Sequence, residues 1–151
     1  ICLNEVVSKN EETIKFLEAG PTGGIVGEDY DNNYTKRNKL LNNQKKKIVI
    51  KKTKTLEKIL DENNAPNIID YFSLDVEGAE TDVLKNFNFK KYKFLCLTIE
   101  RPTKELNDIL FKNGYIFVKN FKVDSFFVHN SIKNLEIIKK EKFVQLPGKS
   151  W

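Results

Sequence analysis

The run Ile-Ile-Asp-Tyr-Phe-Ser-Leu-Asp-Val-Glu-Gly-Ala-Glu-Thr-Asp-Val-Leu, residues 68–84, constrains the fold more than any other stretch, because an apolar strand stops abruptly at acids set around one glycine. Buried parallel strands read as short, nearly continuous apolar runs. Ligands in open α/β sheets sit just outside the strands' carboxyl ends, where Asp75 and Glu77 fall. Gly78 permits a tight strand-to-helix turn, and Glu80 and Asp82 place negative charge in the first helical turn. Val83, Leu84 and Phe87 supply an inward face at helical spacing. The same acids would equally serve to cap a helix and solvate a loop, a common role at helix starts.

Strands and helices alternate along the chain. Ile1–Ser8 reads as a strand, and after a polar turn Thr13–Leu17 reads as a second, able to form a hairpin with the first. Residues 20–34 carry Gly20, Pro21, Gly23, Gly24 and Gly27 with Asp29 and Asp31, which is loop chemistry. That segment reads either as a surface loop or as a substrate-facing lid, and it lacks the Gly-Lys-Ser/Thr ending of a P-loop. Lys47–Lys52 makes a third strand, followed by a short helix with Thr55 as N-cap and Leu56, Ile59 and Leu60 on one face. The apolar run Tyr92–Glu100 again ends in an acid, and Thr103 then opens a helix that Gly114 closes. Tyr115–Phe121 and Asp124–Val128 are joined so briefly that they must pair antiparallel.

At 151 residues the chain matches one domain, long enough to bury about two-thirds of its unfolded surface. Hydrophobic residues make up 40% and no apolar run approaches the ~20 residues needed to span a bilayer, so the chain reads as soluble and globular with no transmembrane segment. Ile1–Val7 lacks the basic region of a signal peptide, and a cytoplasmic compartment is the default expectation. The sequence has no methionine and opens within an apparent strand, the mark of a piece of a longer protein. Cys2 and Cys96 show no paired spacing and read as two buried small hydrophobes. His129 is the only histidine, which excludes a histidine-rich metal site. The net charge of +5 raises the question of a polyanion partner, but arginine occurs only at Arg37 and Arg101, so the basicity reads as compositional bias and gives no clear nucleic-acid footprint.

Asp70 to Glu80, Asp-Tyr-Phe-Ser-Leu-Asp-Val-Glu-Gly-Ala-Glu, followed by Val83 and Leu84, closely resembles the motif of the FkbM family of S-adenosylmethionine-dependent methyltransferases. Thr55–Leu60 is similar to that family's preceding helix, Gly23–Gly27 to the glycine-rich segment of its Star-like eukaryotic and viral branch, and Leu97–Glu100, Gly114-Tyr115 and Val123–Val128 to its closing strands. The resemblance covers residues 1–130 and implies an α/β fold: a Rossmann-like class I methyltransferase sheet, mostly parallel, with a C-terminal antiparallel hairpin. It makes residues 1–131 the C-terminal part of the domain and 132–151 a Lys-rich tail. It further implies that N-terminal βα units carrying the glycine-rich cofactor loop precede Ile1, and that their absence leaves a gap mid-sheet between the Ile1 and Ile68 strands.

By the same resemblance the chemistry is transfer of a methyl group from S-adenosylmethionine to an oxygen of a small metabolite, sugar or lipid. Such a reaction needs an acceptor held in line with the methyl carbon and a base or metal to remove the acceptor's proton. Asp75 and Glu77 are the candidate catalytic residues, with Asp75 facing both methyl group and acceptor. Asn4, Glu5 and Asp75 are expected to border the cofactor, and Glu100 to meet the substrate. Asp75, Glu77 and Glu100 together would offer a divalent cation oxygen ligands, although no histidine or Asp-Asn pair adds support. The partner implied is a small-molecule acceptor. Two other readings stand beside this one: a catalytically silent relative used for protein interaction or trafficking, and a basic RNA-associated protein.

Overall fold

The computed structural model describes residues 1–32 and 47–140. β1 (Val6–Val7), β2 (Thr13–Glu18), β3 (Gly24–Ile25) and β4 (Lys47–Lys54) form one sheet in the order β1-β4-β2-β3. β4 is its organising strand, parallel to β1 and antiparallel to β2. The buried Thr53 hydroxyl fixes the turn ahead of β2, donating to the Asn10 carbonyl at 2.6 Å and accepting from the Glu12 amide at 2.9 Å. The hairpin expected between the first two strands does not form, because each takes β4 as its partner. Of Ile1–Ser8 only Val6 and Val7 are strand, and Ile1 and Leu3 lie exposed.

β5 (Ile68–Leu74), β6 (Lys93–Glu100), β7 (Tyr115–Phe121) and β8 (Asp124–His129) form the second sheet, in the order β5-β6-β8-β7. Helix α1 (Leu56–Glu62) leads into β5, α2 (Glu80–Lys85) crosses from β5 to β6, and α3 (Lys104–Lys112) connects β6 to β7. A short helix α4 (Leu135–Lys140) follows β8. The two caps expected from sequence are formed: Thr55 accepts from the Lys58 amide at 3.2 Å and Thr103 from the Leu106 amide at 3.1 Å. Gly114, with φ +85°, turns the chain out of α3 in a conformation costly for other residues.

The chain is α/β, but the mostly parallel Rossmann-like sheet expected from the resemblance is not what the residues build. Both sheets are mixed, with one parallel pair each and the other described pairings antiparallel. The reason is connectivity. Of the described strands joined in sequence by a helix, only β5 and β6 end up as partners: β4 lies in the other sheet from β5, and β8 separates β6 from β7. β8 follows β7 after Lys122 and Val123 alone, so it must reverse, and it slots between β6 and β7 antiparallel to both. Where one gapped sheet was expected there are two sheets, β1 ending one and β5 the other. Ile68 and Tyr71 on that terminal β5 are 58% and 57% exposed.

The core lies between the second sheet and its helices. Leu84, Phe94, Leu97, Ile99, Leu106, Leu110 and Phe127 are almost wholly enclosed, with Leu56, Leu74 and Tyr115 packed among them. Phe94 is the hub: its ring stacks on Phe72 at 4.5 Å and on Phe87 at 5.3 Å, and its amide donates to the Tyr115 hydroxyl at 3.2 Å. Burial pushes that phenol up to about 12, so it remains an uncharged partner. Phe94→Ala should lower unfolding free energy by about 3–5 kcal/mol in urea titration, the usual cost of emptying an enclosed aromatic site. A loss below about 1 kcal/mol would mean that the core is not organised around this ring.

Candidate active site

The parallel register of β5 and β6 pairs Leu74 with Ile99, so the residues that follow or end these strands, Asp75 and Glu100, stand side by side. The turn after β5 is tightly constrained. Glu77 and Gly78 both take positive φ, +55° and +92°, a region that only glycine enters without cost. Ala79 supplies no side-chain cap for α2. Glu80 does that work instead: its carboxylate, almost fully buried, accepts from the Val76 amide at 3.0 Å and the Gly78 amide at 3.3 Å. Amides that the turn would leave unpaired are thereby satisfied by a charge, a strong form of the bond.

Asp75, Glu80 and Glu100 each present a carboxylate oxygen within 4.8 Å of the others. Drawing the Asp75 carboxyl into this company pushes its pKa up, through partial burial first, then the charge of Glu100 and a hydrogen bond with it, with smaller contributions from Glu80 and Asp124. Asp124 enters because it lies opposite Glu100 in the β6–β8 ladder. The spacing suits ligands of a hard cation. The expected cation set of Asp75, Glu77 and Glu100 is therefore revised, since Glu80 occupies the place foreseen for Glu77. In the arrangement seen, Asp75 and Glu100 share a hydrogen bond while Glu80 binds backbone amides.

Glu77 faces elsewhere. With Glu5, Asp75 and Val76 it lines a cavity of about 240 Å³ whose remaining walls include Val6, Val7, Phe16, Pro21, Ile25 and Ala79. Of residues 20–34, read from sequence as a surface loop or a lid, Pro21, Gly23, Gly24 and Ile25 line the cavity, and residues 33 and 34 lie outside the described residues. Gly20–Thr22 is a single 3-10 turn, and β3 is buried against β2. Of the sequence candidates, Asp75, Glu77 and Glu5 therefore meet at the cavity and Glu100 stands beside Asp75. Asn4 is exposed and is not among the lining residues. Glu5 already carries a partner, Lys54 Nζ at 2.9 Å.

Sequence reasoning missed two residues. Glu80 read as helix-start charge, and only the fold of the turn reveals its inward role. Arg101 Nη2 bridges Glu100 at 2.9 Å and Asp31 at 2.7 Å. A signal for it existed, because an arginine kept in a chain so rich in lysine marks a position suited to a planar, forked donor. His129 lies at the opposite end of β8 from Asp124, about 17 Å away along the strand, and its Nδ1 is engaged with Ser131. Cys2, expected to be buried, is exposed, and both cysteines are free thiols.

An acid raised in the folded state binds more protons folded than unfolded between its two pKa values, so the stability it contributes falls as pH rises through that window. Asp75→Asn removes the repulsion and should raise the melting temperature near pH 7, by a few degrees at most for so exposed a residue, with the gain shrinking toward about pH 4. Melting curves across that range decide the point, and an equal or lower melting temperature near neutrality argues against the crowding.

The family model of the methyltransferase FkbM domain matches residues 4–117, which takes in β1, the cavity walls, the acidic turn and the start of β7. Among curated proteins and among solved structures no significant match is found. On the strength of the family match, carried by most of its length, the chain belongs to the FkbM methyltransferase domain family.

Proposed function

We propose that this domain takes part in S-adenosylmethionine-dependent methyl transfer to an oxygen of a small-molecule acceptor. The observation that carries this reading is the meeting of a raised carboxyl, Asp75, with a half-apolar cavity at the carboxyl end of a parallel strand pair. When bound, S-adenosylmethionine supplies a sulfonium-activated methyl group. The lining fits part of such a molecule: Val6, Val7, Phe16 and Ile25 offer apolar surface for a flat base, and the carboxylates of Glu5, Asp75 and Glu77 suit hydroxyls and positive charge. At about 240 Å³ the cavity is smaller than the ~300–1,000 Å³ typical of whole ligands, so it receives one end of the molecule.

The residues divide the work by position. Asp75 receives the acceptor's hydroxyl proton, its basicity strengthened by the surroundings that raise its pKa. Glu100, hydrogen-bonded to Asp75, holds that carboxyl in place and orients the acceptor. Glu77, on the strained turn, forms the cavity floor with Asp75, and Glu5, with Asn4 before it, lies on the cofactor side. Glu80 fixes the turn through the Val76 and Gly78 amides, and its carboxylate adds to the raising of Asp75.

In the full-length protein, methyl transfer from radiolabelled S-adenosylmethionine to a panel of hydroxyl acceptors should fall about 10²- to 10⁴-fold in Asp75→Asn, the range for loss of a general base. Far-ultraviolet dichroism should be unchanged. Turnover at the wild-type rate in that variant would remove Asp75 from the chemistry.

A further inference from the structure

The segment that walls the cavity continues across the acidic turn and is fastened there. The Asp31 amide donates to the Glu77 carbonyl at 3.2 Å, the Tyr30 hydroxyl to Asp82 at 2.7 Å, and Arg101 Nη2 to the Asp31 carboxylate at 2.7 Å. The fit is close. A Cβ on Gly78 would stand 2.8 Å from the Asp31 backbone nitrogen, and one on Gly24 would stand 2.5 Å from the side-chain Nδ2 of Asn32. Tyr30 and Asp31 thus lie against the turn and helix that follow β5 and Asn32 against Gly24, while Gly23, Gly24 and Ile25 form part of the cavity wall.

Arg101 is held for this contact at a conformational cost. Its φ is +40°, unfavourable for a residue with a side chain, and its amide is pinned to the Val123 carbonyl at 2.8 Å. Strain of this kind persists where surrounding structure enforces it, and here it directs the guanidinium to span Glu100 and Asp31. The Arg101 side chain is 51% exposed. An ion pair so open to water is individually weak and screened by salt, which suits a contact that must release and re-form.

We propose that Arg101 is a positioning residue whose ion pair with Asp31 fastens residues 30–32 to the acidic turn, so that the seating of the adjoining cavity wall, Gly23 to Ile25, depends on an ionic clasp. The inference rests on the cavity being the working site. When the pair with Asp31 breaks, Glu100 retains the guanidinium, which keeps it in place for the pair to re-form.

Hydrogen exchange followed by mass spectrometry on the full-length protein tests this directly. Asp31→Asn, which leaves the Arg101 backbone untouched, and Arg101→Ala should each speed exchange of the 23–32 amides about three- to tenfold, with β5 and β6 unchanged. Arg101→Lys should restore part of the protection, and the Asp31→Asn/Arg101→Ala double variant should exchange no faster than either single one. In wild type the segment should exchange faster as salt rises from about 0.05 to about 0.5 M, and this response should vanish in both single variants. Unaltered exchange in the variants, or a salt response that survives in them, overturns the clasp. Failure to bind S-adenosylhomocysteine, with the exchange pattern as expected, would count against the assigned function while the clasp stands.

Discussion

The register that sets Leu74 beside Ile99 also sets Asp75 beside Glu100, and this pairing is the constraint on which the site depends. A slip of one residue between β5 and β6 would turn alternate side chains to the opposite face and separate the two acids. The register is held by the packing beneath it, where Leu74, Leu97 and Ile99 are enclosed together with Phe94. The same apolar contacts that make the strands adjacent therefore force two carboxyls into a proximity they would avoid in water.

The surroundings offset that repulsion by local means. Glu80 is satisfied by amides, Asp75 shares a hydrogen bond with Glu100, and Arg101 adds a positive charge on the outer side of Glu100. Glu77, Gly78 and Arg101 take left-handed backbone conformations within this small region. Strain and like charge concentrated in one corner of an otherwise well-packed domain are features that folding stability alone does not favour and that ligand chemistry uses.

Much of this was legible in the sequence. The strands read at 47–52 and 92–100, the apolar run from Ile68 and the caps at Thr55 and Thr103 were readable because burial and capping leave local patterns, and the observed strands differ from these bounds by one or two residues. That acids gather here followed from Glu77 and Glu100 being expected at adjacent strand ends with Asp75 beside them, though it is Asp75 that stands against Glu100. The sheet arrangement was not legible in the same way. Which strand pairs with which is decided by contacts across long stretches of chain, as in the choice of β4 by both β1 and β2. Ile1–Ser8 looked like a strand through composition alone, yet only Val6 and Val7 find a partner. Glu80 and Arg101 escaped notice because their roles arise from a turn and an ion pair that no linear spacing encodes.

The insertion of β8 between β6 and β7 has a consequence for how the domain comes together. The outer edge of the strand bearing Glu100 has no lasting partner until the chain has been made as far as residue 129. Asp124, which adds another negative charge opposite Glu100, arrives with that final strand. The strand that completes the electrostatic crowding therefore also brings Phe127 into the aromatic interior that holds the neighbouring strands in place.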